Sequence, residues 1–223
     1  MVINRGCRLA THLVAVVGLV VAVGFGISGL VTPAWQVMYV EHLGEFHEHG
    51  LWENCVKPSG RLSRNPDERV CTARKWPSKE RYDYEFPQAP EHTMTESHMA
   101  TLVLLALSII FGVGGVLFGC ISAAIDKFNY ARVLKACAVV WIVLHTLAAI
   151  FSVLALLVFF KFSRSNMGKF VLVMTSRYEQ SLGYSFSQCV ASTIIYVVSM
   201  IIGIVAVIIT FATSTKDGYN TVK

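Results

Sequence analysis

Four long apolar stretches separated by polar segments dominate the pattern of the chain. Each stretch exceeds the roughly 20 residues that a helix needs to cross a bilayer. They lie at about 9–30, 99–123, 133–160 and 189–212. The first, second and fourth stretches contain no Lys, Arg, Asp or Glu, whereas the third carries Lys135 near its start and His145 near its middle. The pattern predicts four transmembrane helices, with the first acting as an uncleaved signal anchor because its apolar core is too long for a signal peptide.

The loops between these helices carry a second pattern. Trp35, Val37 and Tyr39 alternate with Gln36, Met38 and Val40, which fits a strand of period two, and segments at 51–56 and 70–76 fit two further strands. Residues 170–174 fit either a strand or an extension of the third helix. The sequence therefore predicts a four-helix transmembrane bundle, all-α in class, with a small extracellular antiparallel β-sheet. We expect a single domain over residues 1–223, with extracellular loops at about 31–98 and 161–188.

Composition and charge place this bundle in a membrane and orient it. The chain has 223 residues, of which 54% are hydrophobic and only 15% charged, too apolar a balance for a soluble domain of this size. Arg5 and Arg8 stand just before the first apolar stretch. The first loop exceeds 60 residues, so its own charges have little influence on orientation. We expect a multi-pass plasma-membrane protein with both termini in the cytosol.

The six cysteines fall into groups that this orientation separates. Cys55 and Cys71 are the two cysteines of the first loop, and on the oxidising outer side a disulfide is expected between them rather than two free thiols. Closing a loop of about 15 residues is worth about 3 kcal/mol on the chain-entropy model. Cys7, Cys120 and Cys137 fall near the cytosolic membrane face. They are candidates for palmitoylation, although Cys120 and Cys137 also fit small buried helix residues.

Four spans, a long first loop and the series Trp35…Gly50-Leu51-Trp52-x-x-Cys55…Cys71 resemble the claudin superfamily. This superfamily includes claudins, peripheral myelin and epithelial membrane proteins, and calcium-channel γ subunits. The segments 32–35, 51–58 and 100–102 most resemble the junctional tetraspans of the brain cell membrane protein group, and 184–186 is similar to the channel γ subunits. The resemblance implies the same Cys55–Cys71 disulfide.

Two sets of loop residues are candidate functional positions. Trp35 and Trp52 fall where strands meet the membrane face, an interface that tryptophan favours, and should anchor the sheet to the helix ends. Arg61, Arg64 and Arg69 form a basic, turn-rich arm. This arm is a candidate for partner contact by charge complementarity, with a merely solvated hairpin as the alternative.

A pair of glycines and a group of histidines could each have a functional or a structural role. Gly115 and Gly119 match a close-packing helix motif that fits dimerisation or packing within the bundle. His42, His47 and His49 lie among carboxylates and could bind zinc, but no four-ligand spacing is present. A solvated polar edge is therefore expected, and we predict no metal or cofactor site.

The sequence favours a protein that acts by binding other membrane proteins. The sequence shows no intramembrane carboxylate pair, nucleophile–base arrangement or phosphate loop, so we predict a non-enzymatic protein without a nucleic-acid partner. One hypothesis is a tetraspan of cell–cell junctions whose sheet meets junction proteins or another copy of itself. The alternative is an auxiliary subunit that modulates the gating or trafficking of an ion channel.

Overall fold

The computed structural model describes residues 5–40, 45–58, 69–74, 96–125, 131–170 and 178–220. Within them lie four helices, each long and apolar enough to span a membrane. Their bounds are α1 Arg5–Val31, α2 Glu96–Ile125, α3 Ala131–Phe170 and α4 Tyr184–Asn220. The four predicted spans are thereby confirmed. The chain is a multi-pass membrane protein.

All four helices extend beyond the predicted apolar stretches, and α3 and α4 extend the furthest. α3 continues past the predicted end at 160 to Phe170, and α4 begins at Tyr184, ahead of the predicted start at 189. Phe170 is therefore helical, whereas 171–174 lie outside the described residues. The apolar stretch measures only the part of a helix that lipid surrounds, and hydrogen bonding carries the helix further.

The strands form one antiparallel sheet. Its order is β4-β3-β2-β1-β5. The strand bounds are β1 Gln36–Val40, β2 Glu45–His49, β3 Glu53–Pro58, β4 Val70–Ala73 and β5 Tyr178–Leu182. β1, β3 and β4 correspond to the three predicted strands. β2 and β5 were not predicted, and β5 brings the second loop into the sheet by pairing with β1.

The described residues form two compact units. The helical unit comprises those within 1–26, 106–153 and 191–223, and the sheet unit those within 27–105 and 154–190. The helical unit packs Leu19, Ala148 and Tyr196 in its core. The core of the sheet unit includes Trp35 and Leu51 together with helix residues.

Close helix packing in the helical unit uses the two glycines of the predicted motif. A Cβ at Gly119 would lie 2.7 Å from Cγ2 of Val16 and 3.0 Å from Nε1 of Trp141. A Cβ at Gly115 would lie 3.0 Å from Cδ2 of Leu19. Both glycines therefore face other helices of the same chain, which is the packing that the internal alternative requires.

Candidate functional site

The first strand of the sheet, β1, begins five residues after the end of α1. Pro33 follows the helix and cannot donate the backbone hydrogen bond that the Gly29 carbonyl would otherwise receive. The indole N–H of Trp35 donates to that carbonyl instead, at 2.9 Å. Trp35 is 1% exposed, and its ring packs against Phe159 at a centroid distance of 4.7 Å. The tryptophan thus replaces the donor that the proline removes.

A second indole satisfies the next carbonyl of the same turn. Trp52 Nε1 donates to the Leu30 carbonyl at 2.9 Å. The last carbonyls of a helix lack partners within the helix, so the two tryptophans cap consecutive residues of α1. Trp52 remains 43% exposed, in contrast to the buried Trp35. The spacing between the two tryptophans is thus a helix-capping arrangement that ties β1 and the β2–β3 turn to α1.

The Gly50-Leu51 pair lets the turn before Trp52 approach the helix end. A Cβ at Gly50 would lie 2.7 Å from the Pro33 Cα, so a larger residue would displace the backbone. The Gly50 N–H donates to the Glu53 carbonyl at 2.9 Å and closes the turn. Leu51 is fully buried in the same core as Leu105. The turn therefore inserts an apolar side chain among the helices of the sheet unit.

The second loop joins this site through the residues that follow β5. The Gly183 N–H donates to the Trp35 carbonyl at 3.0 Å, and the Ser185 N–H donates to the Ala34 carbonyl at 3.0 Å. A Cβ at Gly183 would collide with the Ala34 backbone. The Thr32 hydroxyl also donates to the Ser185 hydroxyl at 2.7 Å. We call the residues Trp35, Gly50–Trp52 and Gly183 the helix–sheet junction.

The predicted disulfide between Cys55 and Cys71 is confirmed. The two cysteines occupy directly opposite positions on β3 and β4, with Cα atoms 4.0 Å apart. Cys55 is buried, whereas β4 is exposed along its length. Glu53 lies close to both sulfur atoms, but sulfurs joined in a disulfide are not thiolate ligands for a metal. The bond fixes the edge strand β4 to the sheet.

Of the three arginines in the basic arm, the structure describes one. Arg61 and Arg64 lie outside the described residues. Arg69 precedes β4 and forms an ion pair with Glu48 of β2. The register places Glu48 opposite Cys55, so this ion pair lies beside the disulfide. The described arginine of the basic arm is therefore paired with a carboxylate of the same sheet.

The histidines of β2 lie on one face, as their spacing predicts. The rings of His47 and His49 stack with centroids 6.4 Å apart. His47 Nε2 lies 3.4 Å from a Glu45 carboxylate oxygen, and His49 Nδ1 lies 3.3 Å from the Asn54 side-chain oxygen. His42 lies outside the described residues. These contacts make a polar row along β2, which is the central, half-buried strand of the sheet and not the expected solvated edge.

The three cysteines considered for palmitoylation differ in exposure. Cys7 of α1 and Cys120 of α2 are exposed, and Cys137 of α3 is half-buried. The exposure of Cys120 does not fit the buried alternative. Acylation itself stays a prediction for all three.

The similarity to known proteins covers nearly the whole chain. The profile of a family described as Clc-like matches residues 9–215, a range that contains all five strands and most of each helix. A Caenorhabditis elegans protein named Clc-like protein 2 is 24% identical to the chain over 184 residues. That alignment covers 82% of this chain and 69% of the nematode protein.

Proposed function

Because the chain belongs to the Clc-like family, which is claudin-like and related to the peripheral myelin and epithelial membrane proteins, we propose that it organises cell–cell contacts. In this role it is a non-enzymatic plasma-membrane protein whose sheet binds other membrane proteins or a second copy of the chain. The segments 32–35, 51–58 and 100–102, which resemble the junctional brain cell membrane protein group, support a role like that of this group.

One observation carries the proposal: the sheet is held rigidly at both its base and its edge. Two indoles and a glycine turn fix its base to α1, and the disulfide fixes its edge strand. A surface that is already ordered loses less conformational entropy when a partner binds. A rigid sheet suits a binding surface, because its side chains keep a fixed orientation before a partner binds.

The exposed side chains of the sheet have the chemistry of a protein interface. Phe46, Trp52 and Val70 are all exposed, and the strand register places Phe46 and Val70 on opposite faces of the sheet. Aromatic residues are enriched at protein–protein interfaces. Exposed apolar side chains on the sheet therefore support a protein partner.

The disulfide supports the orientation that this role requires. Structural disulfides form in the oxidising space outside the cytosol, so we place the sheet outside the cell. With four spans, both termini then lie in the cytosol. Junctional localisation follows from this placement together with the proposed contact role.

The alternative is an auxiliary subunit of an ion channel. Its support is the segment 184–186, which is similar to the channel γ subunits and which opens α4 at the helix–sheet junction. A channel partner would then contact the sheet and an adjoining helix. The two roles differ in the partner that should co-purify.

The test expresses the full chain in non-adherent cells and measures cell aggregation. We expect wild-type cells to aggregate and Val70→Glu cells to aggregate less, because Val70 is 56% exposed on the edge strand. Val70→Thr keeps the branched shape and serves as the matched control. Mild-detergent purification from the same cells should recover junction proteins. Absence of aggregation with stoichiometric recovery of a channel pore subunit would contradict the junction role and support the alternative.

A further inference from the structure

One row of residues crosses four neighbouring strands of the sheet. Tyr39 of β1 lies opposite Phe46 of β2 and opposite Glu179 of β5, and Phe46 lies opposite Lys57 of β3. Residues directly opposite each other on paired strands share one face of a sheet. We call these four residues the aromatic row. We propose that the aromatic row binds the aromatic row of a second copy of the chain in the same membrane, which rests on the proposed function in taking the sheet as the binding surface.

The centre of the aromatic row is an apolar pair that the sheet leaves partly uncovered. The rings of Tyr39 and Phe46 lie with their centroids 4.7 Å apart. Such a cross-strand pair stabilises the sheet itself, yet Phe46 remains 39% exposed and Tyr39 is only half-buried. Aromatic side chains bury large areas and are enriched at protein interfaces. The pair therefore offers the apolar centre of a contact.

The two ends of the aromatic row are occupied by residues of opposite charge. Lys57 is exposed at the β3 end, and the register places Glu179 at the β5 end. Three strand intervals of about 4.8 Å separate these end positions by about 14 Å. Glu48 lies on the same face, but its carboxylate is paired with Arg69 of the same chain. The order along the row is therefore acidic, aromatic, aromatic, basic.

This order is complementary to itself under a twofold rotation. With two sheets face to face and the axis parallel to the strands between β1 and β2, the rotation reverses the row. Glu179 of each copy then lies opposite Lys57 of the other, and Tyr39 lies opposite Phe46. A twofold axis along the row would instead place like charges opposite each other, which disfavours that arrangement. Twofold contacts between identical surfaces are the commonest in symmetric oligomers, so the charge order favours a second copy as the partner.

The same rotation determines the membrane in which the second copy lies. An axis parallel to the strands preserves strand direction, so β1 points the same way in both copies. Because β1 begins five residues after α1 ends, both copies have the end of α1 on the same side of the contact, as two chains in one membrane do. The aromatic row therefore fits lateral association, while Val70 lies on the opposite face of the sheet.

The experiment measures fluorescence energy transfer between donor- and acceptor-tagged full-length chains in single, isolated cells, where only copies in one membrane meet. We expect wild-type copies to associate. Lys57→Glu alone and Glu179→Lys alone should each weaken self-association by about tenfold, because two attractive pairs per dimer become repulsive. Phe46→Ala should weaken it by about tenfold or more, since the apolar centre is lost.

Mixing the two charge variants separates the contact from a folding defect. A Lys57→Glu chain and a Glu179→Lys chain again place opposite charges at both ends of the row, so the mixture should associate within about twofold of wild type. Glu45→Lys is the matched control, because it makes the same charge change as Glu179→Lys on the opposite face of the sheet. It should leave self-association unchanged. All variants are compared at equal surface expression.

Three outcomes would overturn the pairing of aromatic rows. Wild-type copies that show no energy transfer would exclude it, and loss of a different membrane protein on Phe46→Ala would then assign the row to that protein. Failure of the mixed variants to associate would mean that the end charges do not face each other. Equal weakening by Glu45→Lys would show an effect of net charge alone. Restored association in the mixture without cell aggregation would support the row while refuting the contact role between cells.

Discussion

Truncation of Trp35 should destabilise the sheet unit more than any change at an exposed sheet residue. Trp35→Ala removes a buried ring that packs on Phe159 and Phe186, and it removes the indole donor to the Gly29 carbonyl. Loss of a buried aromatic side chain costs about 3–5 kcal/mol. For a chain of this length, 1 kcal/mol corresponds to a change of about 2–4 °C in the midpoint temperature. We therefore expect the midpoint to fall by roughly 6–20 °C.

A second substitution separates the hydrogen bond from the packing. Trp35→Phe keeps most of the ring but leaves the Gly29 carbonyl without the indole donor, and an unsatisfied buried acceptor costs about 1–3 kcal/mol. The midpoint should then fall by roughly 2–12 °C. The control is Val70→Ala, since Val70 is exposed and exposed substitutions usually stay within about 0.5 kcal/mol.

The assay is thermal unfolding of the purified full-length chain in one detergent, with far-UV circular dichroism as the readout. The three variants are compared with wild type at equal protein and detergent concentrations. If Trp35→Ala unfolded at the same temperature as Val70→Ala, the tryptophan would not anchor the sheet, and the capping argument would be refuted.

Three further changes test separate contacts. Cys55 should resist alkylation without reductant, and Cys55→Ser should cost about 3 kcal/mol; modification of the native chain would contradict the disulfide. Gly119→Ala should destabilise by about 1–3 kcal/mol, whereas Gly24→Ala should be tolerated because its Cβ would meet nothing within 4 Å; equal thermal midpoints would refute the packing. Glu48→Gln should cost under about 1 kcal/mol, because its ion pair with Arg69 is partly exposed; a larger loss in thermal unfolding would mean a structural role.

The helices could be predicted from sequence because their signal is local. A long uncharged apolar stretch reports a membrane helix regardless of the rest of the fold. β2 and β5 gave no such signal. β2 has the sequence EFHEH, with a single large apolar side chain, and β5 is YEQSL. Pairing with β1 defines both strands, and for β5 that partner is distant in sequence. Gly183 after β5 was the one local hint of a tight approach.

The residues of the helix–sheet junction could be found from sequence, but their chemistry could not. Trp35 and Trp52 stand out as a spaced pair, yet their acceptors are the backbone carbonyls of Gly29 and Leu30. Every residue has a backbone carbonyl, so the sequence does not show which carbonyl accepts a hydrogen bond. The ion pair of Arg69 was likewise hidden, because it depends on the register of the sheet rather than on sequence spacing.

We propose that the sheet organises contacts between cells. The most direct measurement images a tagged full-length chain in a mosaic epithelial layer, where expressing cells border both expressing and non-expressing neighbours. We expect the tagged chain to be enriched at lateral cell borders compared with the free surface. Uniform surface distribution, or clustering with a channel pore subunit away from cell borders, would contradict it.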